Sequence, residues 1–124
     1  MLEHGDFEIE IIGNVVHTYP VGGFNEHGIK RIRQSIMNAR PYDEKWALYE
    51  HPKDVAGLTP EAALEIALSY KEFCKNDCVV IALEVCSTWQ NVIAKRLKKE
   101  LPIPLYFDSN GSRLEALIHR HLHE

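Results

Sequence analysis

A nearly continuous apolar stretch, Cys78 to Cys86, dominates the pattern of hydrophobic and polar positions. Apolar and β-branched residues occupy both alternating sets of positions, which is typical of a strand buried on both faces of a largely parallel sheet. Directly after it, Ser87 and Gln90 have the spacing of a capping box, in which each side chain bonds to the other residue's backbone amide. The pattern therefore predicts a central strand that leads straight into a helix.

The N-terminal part alternates between apolar and acidic residues. Residues 7 to 11 read as a half-buried strand, Gly13-Asn14 breaks it, and residues 15 to 19 resume a strand pattern. We therefore expect an N-terminal hairpin. Pro20 and the pair Gly22-Gly23 are predicted to end its second strand.

Further along, helical and strand patterns alternate. Asn25 and Thr59 are predicted helix N-caps, the latter followed by Pro60 at the first helical position. The stretch between Trp46-Glu50 and Thr59 is predicted to be a loop. The remaining predicted elements are helices over about 25–39, 59–75, 87–100 and 112–122, and short strands at 46–50 and 105–107.

This order, ββαβαβαβα, indicates one α/β domain over residues 1–124, with a mixed sheet of about five strands flanked by helices. The later strands are predicted to be parallel and the first antiparallel. If the right-handed crossovers all step the same way across the sheet, their helices lie on one face. The other face is then thinly covered, and such a face needs a partner, a ligand or extra helices.

Composition narrows the function classes. The chain has 124 residues and a net charge of −4, which argues against a general nucleic-acid binder because such proteins carry clustered Lys and Arg. No apolar run approaches the roughly 20 residues of a membrane span. The first residues lack the features of a signal peptide, and the three cysteines are an odd number. We therefore expect a cytoplasmic protein with reduced thiols.

From Val79 to Leu122 the chain resembles the SpoIIAA-like family, also described as STAS/SEC14-like domains. The resemblance rests on the apolar strand, on Trp89-Gln90 opening a helix, on Tyr106-Phe107-Asp108 at a strand end and on Glu115-Ala116-Leu117 in the closing helix. Leu58 to Glu61 is similar to the start of that family's preceding helix. The resemblance implies a small sheet flanked by helices, related to anti-sigma-factor antagonists and lipid-carrier domains, without defined catalytic residues.

The chain departs from the antagonist branch at one important place. The resemblance puts a phosphorylatable serine at the start of the helix after the middle strand, where this chain has Gly57-Leu58-Thr59-Pro60. Thr59 is the only hydroxyl there. It is a candidate phosphorylation site, but simple capping is the preferred explanation, because an N-cap hydroxyl needs no such role.

The reactive residue types have structural explanations as well. Cys74 and Cys78 fall on apolar positions and read as packing thiols, whereas Cys86 precedes a helix start, where free amides favour a thiolate. His119 and His123 share a helix face, but two imidazoles make a weak metal site, and the terminus is expected to be solvated. The sequence predicts neither a metal site nor a cofactor.

The best candidate binding site follows from topology, because ligands of open α/β sheets favour the carboxyl ends of parallel strands. A cleft there would combine an aromatic wall with a polar rim, while caps and strand ends would supply the same residues without any ligand. The candidates are Tyr49, His51, Glu84, Cys86, Ser87, Trp89, Tyr106 and Asp108.

Three hypotheses follow. The preferred one is a non-enzymatic binding module of bacterial signalling, which takes a small nonpolar ligand or a protein partner on the thinly covered sheet face. The alternative is a small enzyme that uses Cys86, or the strand-end group Glu84, His51 and Asp108, for nucleophilic or acid-base chemistry. The third hypothesis is a homodimer in which a second copy of the chain covers this thinly covered sheet face.

Overall fold

A computed structural model describes residues 5–123, which form one six-stranded sheet and four helices. The strands are β1 (Asp6–Ile12), β2 (Val15–Phe24), β3 (Trp46–Glu50), β4 (Asp54–Leu58), β5 (Cys78–Glu84) and β6 (Leu105–Asp108). The helices are α1 (Glu26–Ala39), α2 (Pro60–Cys74), α3 (Thr88–Glu100) and α4 (Gly111–Leu122). Within the described residues, no helix is both long and apolar enough to span a membrane.

The strand order is β1-β2-β3-β5-β6, with β4 paired to the far part of β2. β1 is antiparallel to β2 and every other pairing is parallel, which confirms the predicted mixed α/β sheet. β5 lies between β3 and β6 and is buried along nearly its whole length, as its apolar pattern predicts.

The end of β2 differs from the prediction. β2 does not stop at Pro20 but continues to Phe24, because its residues from Val21 onward pair with β4. Its pairing with β3 ends at Thr18, which leaves a gap between the two pairings. Pro20 lies in this gap, where a missing amide costs no ladder bond on that side. Gly22 has a positive φ of 87° next to a shift in the β2-β4 register.

The predicted loop after β3 is wrong in part, since residues 54–58 form β4 and raise the strand count from about five to six. This strand is short and contains Gly57, so its sequence has little strand character. Only its pairing with β2 makes it a strand. Asn25 and Thr59, by contrast, cap α1 and α2 as predicted, accepting from the amides of Gly28 and Ala62.

The helices occupy both faces of the sheet. Crossovers β2-α1-β3, β4-α2-β5 and β5-α3-β6 all step in one direction, so α1, α2 and α3 share one face and the main core. α4 follows the last strand, makes no crossover and packs on the opposite face against β3, β5 and β6. The same face of β1 and β2 is left uncovered by these helices. We call this surface the open face, formed by Glu8, Glu10 and Ile12 of β1 and by His17, Tyr19 and Val21 of β2.

Candidate functional site

A stack of three rings connects the core to the open face. Tyr49 on β3 is only 1% exposed, and its ring centroid lies 4.1 Å from that of His51. The ring centroid of Tyr19, a residue of β2, lies 4.6 Å from the ring centroid of His51, and the two ring planes are 9° apart. Tyr19 is 37% exposed, so it forms the outer end of the stack. The parallel β2-β3 register brings these side chains together on one face.

His17 and His51 form a direct imidazole pair beside this stack. His17 Nδ1 lies 3.0 Å from His51 Nε2, so one nitrogen donates and the other accepts. Burial lowers the pKa of both histidines, and His17 lowers that of His51 further. The nearby carboxylates of Glu10, Glu84 and Glu115 act in the opposite direction on His51, but less strongly. The folded protein therefore favours a neutral pair.

Glu84 accepts a hydrogen bond from the inner end of the stack, next to the start of α4. The Tyr49 hydroxyl donates to Glu84 Oε1 at 2.7 Å, and His51 Nδ1 lies 3.9 Å from the same oxygen. Burial and this hydrogen bond raise the pKa of Tyr49. Gly111 begins α4 directly against the pair, since a Cβ there would lie 2.5 Å from Glu84 Oε1 and 3.1 Å from the Tyr49 hydroxyl. Glycine thus permits the close approach of α4 to the site.

A groove of about 580 Å³ separates the β1-β2 turn from α4. His17 and Tyr49 form part of its floor, and Glu115 and His119 of α4 face it. The remainder is lined mainly by apolar residues such as Ile12, together with Asn14 and His123. The groove is thus an extension of the open face, with acidic and aromatic residues along it.

Of the sequence-predicted site residues, Tyr49, His51 and Glu84 come together at this site. Tyr106 lies on the same side of the sheet but bonds instead to His121 of α4, at 2.8 Å. Asp108 accepts from the Asn110 amide and pairs with Arg113, so it organises the start of α4.

The other predicted site residues lie elsewhere. Ser87 caps α3 by accepting from the Gln90 amide at 3.4 Å. The predicted return bond to Ser87 is wrong, since the Gln90 side chain accepts from the Cys86 amide and donates to the Pro52 carbonyl. Trp89 lines a cavity on the face of the sheet that α1 to α3 cover. The eight candidate binding residues are therefore divided between two faces of the sheet.

His17 and Tyr19 were missed by the sequence reasoning. Their positions in β2 alternate with the buried Val16 and Thr18, which marks them as sharing the second face. That alternation was visible in the sequence. Their proximity to His51 was not, because it depends on the register between β2 and β3.

A second polar group was also missed, on the covered face. A cavity of about 90 Å³ lies there between the sheet and helices α1 to α3, with mostly apolar walls. Glu50 lines it and accepts hydrogen bonds from the Tyr70 hydroxyl and, at 2.9 Å, from Thr18. Burial raises the pKa of Glu50, while the two hydrogen bonds oppose that rise.

The three thiols differ in accessibility. Cys86 is exposed, Cys74 is half-buried and Cys78 is buried. Burial raises the pKa of Cys78 to about 12. The sulfur of Cys86 lies 3.5 Å from Gln90 Oε1 and 3.8 Å from the Lys53 carbonyl oxygen. Both are carbonyl-type acceptors, and neither is a general base of the kind that a catalytic thiol needs.

The remaining predicted candidates are explained by their helices. His119 and the C-cap His123 lie side by side at the end of α4, with ring centroids 4.3 Å apart and ring planes tilted by 47°. Within residues 5–123, no group of three or more His, Cys, Asp or Glu side chains has the arrangement of a metal site. Thr59 accepts from the Ala62 amide at 3.1 Å as the cap of α2, and its phosphorylation stays a prediction.

Comparison with solved structures identifies the architecture. An uncharacterised protein with a SpoIIAA-like fold from Shewanella loihica PV-4 superposes with a TM-score of 0.68 at 12% identity, over 95% of this chain and 96% of that one. The chain has a SpoIIAA-like fold. The SpoIIAA-like architecture extends to an anti-sigma factor antagonist from Mycobacterium paratuberculosis, with a TM-score of 0.63 at 16% identity over 94% and 95% of the two chains.

A third SpoIIAA-like neighbour is the anti-sigma factor antagonist SpoIIAA in its unphosphorylated form, with a TM-score of 0.61 at 11% identity over 92% of this chain and 98% of that one. At such identities these neighbours establish the fold. No family model matches the sequence. An alignment of 82 positions, which covers 61% of this chain and 39% of the other protein, is 33% identical to Peroxiredoxin 2 of Sulfurisphaera tokodaii.

The imidazole pair makes a pH prediction. A histidine whose folded pKa is lowered contributes stability that is present above its unfolded pKa, about 6.5, and lost as the pH falls through the folded value. We expect the free energy of unfolding to fall as the pH drops below about 6.5, and to fall less in His51→Gln. Urea unfolding between pH 7.5 and 5 measures both slopes.

The control is His123→Gln, which alters an exposed histidine outside the pair. Glu50, whose pKa is raised, makes the free energy of unfolding rise as the pH falls, which is opposite to the effect of the histidines. All three proteins contain Glu50, so its effect cancels when their slopes are compared. Equal slopes for His51→Gln and the unmodified chain would contradict the neutral pair.

Proposed function

We propose that this chain is a non-enzymatic binding module that docks a protein partner on its open face. The observation that carries the proposal is the exposure of apolar side chains there. Ile12 is 56% exposed and Val21 is 50% exposed, on either side of the exposed Tyr19 ring. Exposed apolar and aromatic side chains among polar groups are typical of interaction sites.

The small cavity on the covered face argues against a nonpolar ligand there, and the groove beside α4 is lined by polar as well as apolar side chains. The apolar cavity on the covered face measures about 90 Å³, whereas ligand pockets measure about 300–1,000 Å³. An acyl chain would require the helices to move apart. The open face needs no such rearrangement, since its aromatic stack already lies at the surface.

The fold supports the same function class. Two of the neighbours with this fold are anti-sigma factor antagonists, and they match nearly the full length of this chain. A role in signalling through a protein contact is therefore part of the proposal.

Site-specific photo-crosslinking tests the docking surface. A benzoylphenylalanine at Val21 reports on the open face, and the same group at Val92 is the matched control, because both valines are 50% exposed and Val92 lies on α3. In cells of the natural host, we expect one protein to be captured at Val21 and at Ile12 but not at Val92. With that protein purified, Val21→Arg should weaken the complex at least about tenfold and Val92→Arg should not.

Several outcomes would overturn the proposal. Equal capture at Val21 and Val92, or none at Val21, would remove the open face as the docking surface. An adduct with a second copy of the 14.2 kDa chain would identify a homodimer instead. A stoichiometric apolar molecule in native mass spectra of the purified protein would favour a carrier.

A thiol-dependent enzyme is the second candidate, favoured by the exposure of Cys86 and by the similarity to Peroxiredoxin 2. It requires Cys86 to be more reactive than an ordinary exposed thiol. We expect Ellman's reagent at pH 7 to label Cys86 first, at the rate of a cysteine in an unfolded peptide, and Cys78 only on unfolding. Labelling of Cys86 tens of times faster than that peptide, abolished in Cys86→Ser, would favour the enzyme.

A further inference from the structure

Surface aromatic rings of this protein are commonly covered by its own cations. The guanidinium of Arg31 lies 5.0 Å from the ring centroid of Phe7, and that of Arg40 lies 4.7 Å from Tyr42. The ammonium group of Lys98 lies 6.0 Å from both Tyr106 and Phe107.

Tyr19 is the exception on the open face. Its inner surface stacks on His51, whose pKa is lowered, so this neighbour is a neutral ring rather than a cation. Among the residues that the structure describes, no Lys or Arg lies over the Tyr19 ring. With 37% of the residue exposed, the outer surface of the ring is available to another molecule.

Negative charge surrounds the same ring. Glu8 of β1 lies directly opposite Tyr19 in the β1-β2 pairing, and Glu10, two residues further along β1 on the same face, lies opposite His17. Partial burial and Glu10 raise the pKa of Tyr19, and Glu84 and Glu115 raise it further. The neutral histidine pair does not balance these carboxylates, so the surface around Tyr19 is acidic.

We propose that the protein partner presents an arginine whose guanidinium stacks on Tyr19 and pairs with Glu10. This inference rests on the proposed function and specifies the chemistry of the partner. A planar guanidinium can stack on an aromatic ring and donate in its own plane to a carboxylate at the same time. An ammonium group is a compact point charge and lacks that geometry, so the site selects arginine over lysine.

Charge complementarity also selects the rest of the segment. Val21 and Ile12 offer apolar contacts on both sides of the acidic and aromatic centre. A segment in which apolar residues alternate with arginine matches that arrangement. A second copy of this chain fits poorly, because two open faces would bring Glu8 and Glu10 against the same residues of the other copy.

The test uses a defined probe, the peptide acetyl-Val-Arg-Val-Arg-Val-amide, together with its lysine twin. Binding is followed by amide chemical shifts of the full chain at low salt. We expect saturable shifts confined to β1, β2 and β3 around Tyr19. The arginine peptide should bind at least about fivefold more tightly than the lysine peptide.

Variants separate the stacking from the charge. Tyr19→Leu should weaken the arginine peptide about fivefold and abolish its advantage over lysine, whereas Glu10→Gln should weaken both peptides. Tyr42→Leu and Glu72→Gln are controls on other surfaces, and each should leave binding unchanged. Thermal melts identify any variant that fails to fold, in which case Glu10→Gln alone still tests the charge contribution.

Equal affinities for the two peptides, shifts on another surface, or no effect of Tyr19→Leu would overturn the inference. Equally tight binding of free methylguanidinium would overturn it too, since the occupant would then be a small cation. These results are distinguishable from failure of the proposed function. Capture of one protein at Val21 without arginine selectivity rejects only the chemistry proposed here, whereas loss of that capture rejects the docking surface.

Discussion

Replacing Tyr49 with alanine is expected to lower the free energy of unfolding by about 3–5 kcal/mol, the usual cost of removing a buried aromatic side chain. Tyr49 is 1% exposed and packs between Ala47, Val80 and Leu114 in the smaller core beneath α4. Its loss leaves a void under His51 and removes the donor to Glu84. Urea unfolding at pH 7 measures the change.

Tyr49→Phe separates the hydrogen bond from the packing. It keeps the ring but leaves Glu84 without the Tyr49 donor, so we expect a loss of about 1 kcal/mol. The control is Tyr42→Ala, at a tyrosine that is 66% exposed, where the change should stay within about 0.5 kcal/mol. Equal losses at Tyr49 and Tyr42 would contradict the stack's role in connecting the core to the open face.

Tyr70→Phe is expected to lower the free energy of unfolding by about 1–3 kcal/mol at pH 7, the usual cost of leaving a buried acceptor short of a donor. The Tyr70 hydroxyl donates to Glu50, and Thr18 supplies the other hydrogen bond at 2.9 Å. The tyrosine is 3% exposed and its pKa is raised by burial and by Glu50. Little water is available to replace its hydroxyl.

The loss should depend on pH. Removal of the Tyr70 donor raises the pKa of Glu50 further, because that hydrogen bond favours the carboxylate. A carboxyl whose folded pKa is raised loses stability as the pH rises, so the deficit of Tyr70→Phe should be smaller at pH 5 than at pH 7.5. Chemical unfolding at the two pH values measures this, with Tyr42→Phe as control. A larger deficit at pH 5 would contradict the assignment.

These two positions separate the functional surface from the core that supports it. Tyr49 belongs to the stack that ends at Tyr19, so Tyr49→Ala should disturb docking as well as folding. Tyr70 lies on the other side of the sheet, at the cavity lined by Glu50. Tyr70→Phe should therefore reduce stability while leaving the open face and its crosslinks at Val21 intact.

Much of the fold followed from local patterns. The two-sided apolar run of β5 predicted a central parallel strand, and caps at Asn25, Thr59 and Ser87 located three helix starts. These signals are local because a cap needs only three or four residues, and because burial on both faces leaves no room for polar positions.

The candidate site was only half predictable. Tyr49, His51 and Glu84 were accessible to sequence reasoning, since strand ends of a parallel sheet meet at one edge. Trp89 was placed with them wrongly, because a helix residue one step beyond a strand is free to point to either face. His17 lies 34 residues before His51 in the sequence, and Tyr19 belongs to the same strand. No local signal specifies the pairing of segments so far apart.

The sequence by itself determined the order of most elements and the two faces of each strand, because a strand alternates with period 2 and a helix with period 3.6. Only the tertiary structure decided the rest. It made residues 54–58 a strand, set His17 against His51 through the β2-β3 register, and placed α4 over β3, β5 and β6. The physical reason is that register and helix side depend on contacts between distant segments, and these contacts decide which surface of the sheet stays open to a partner.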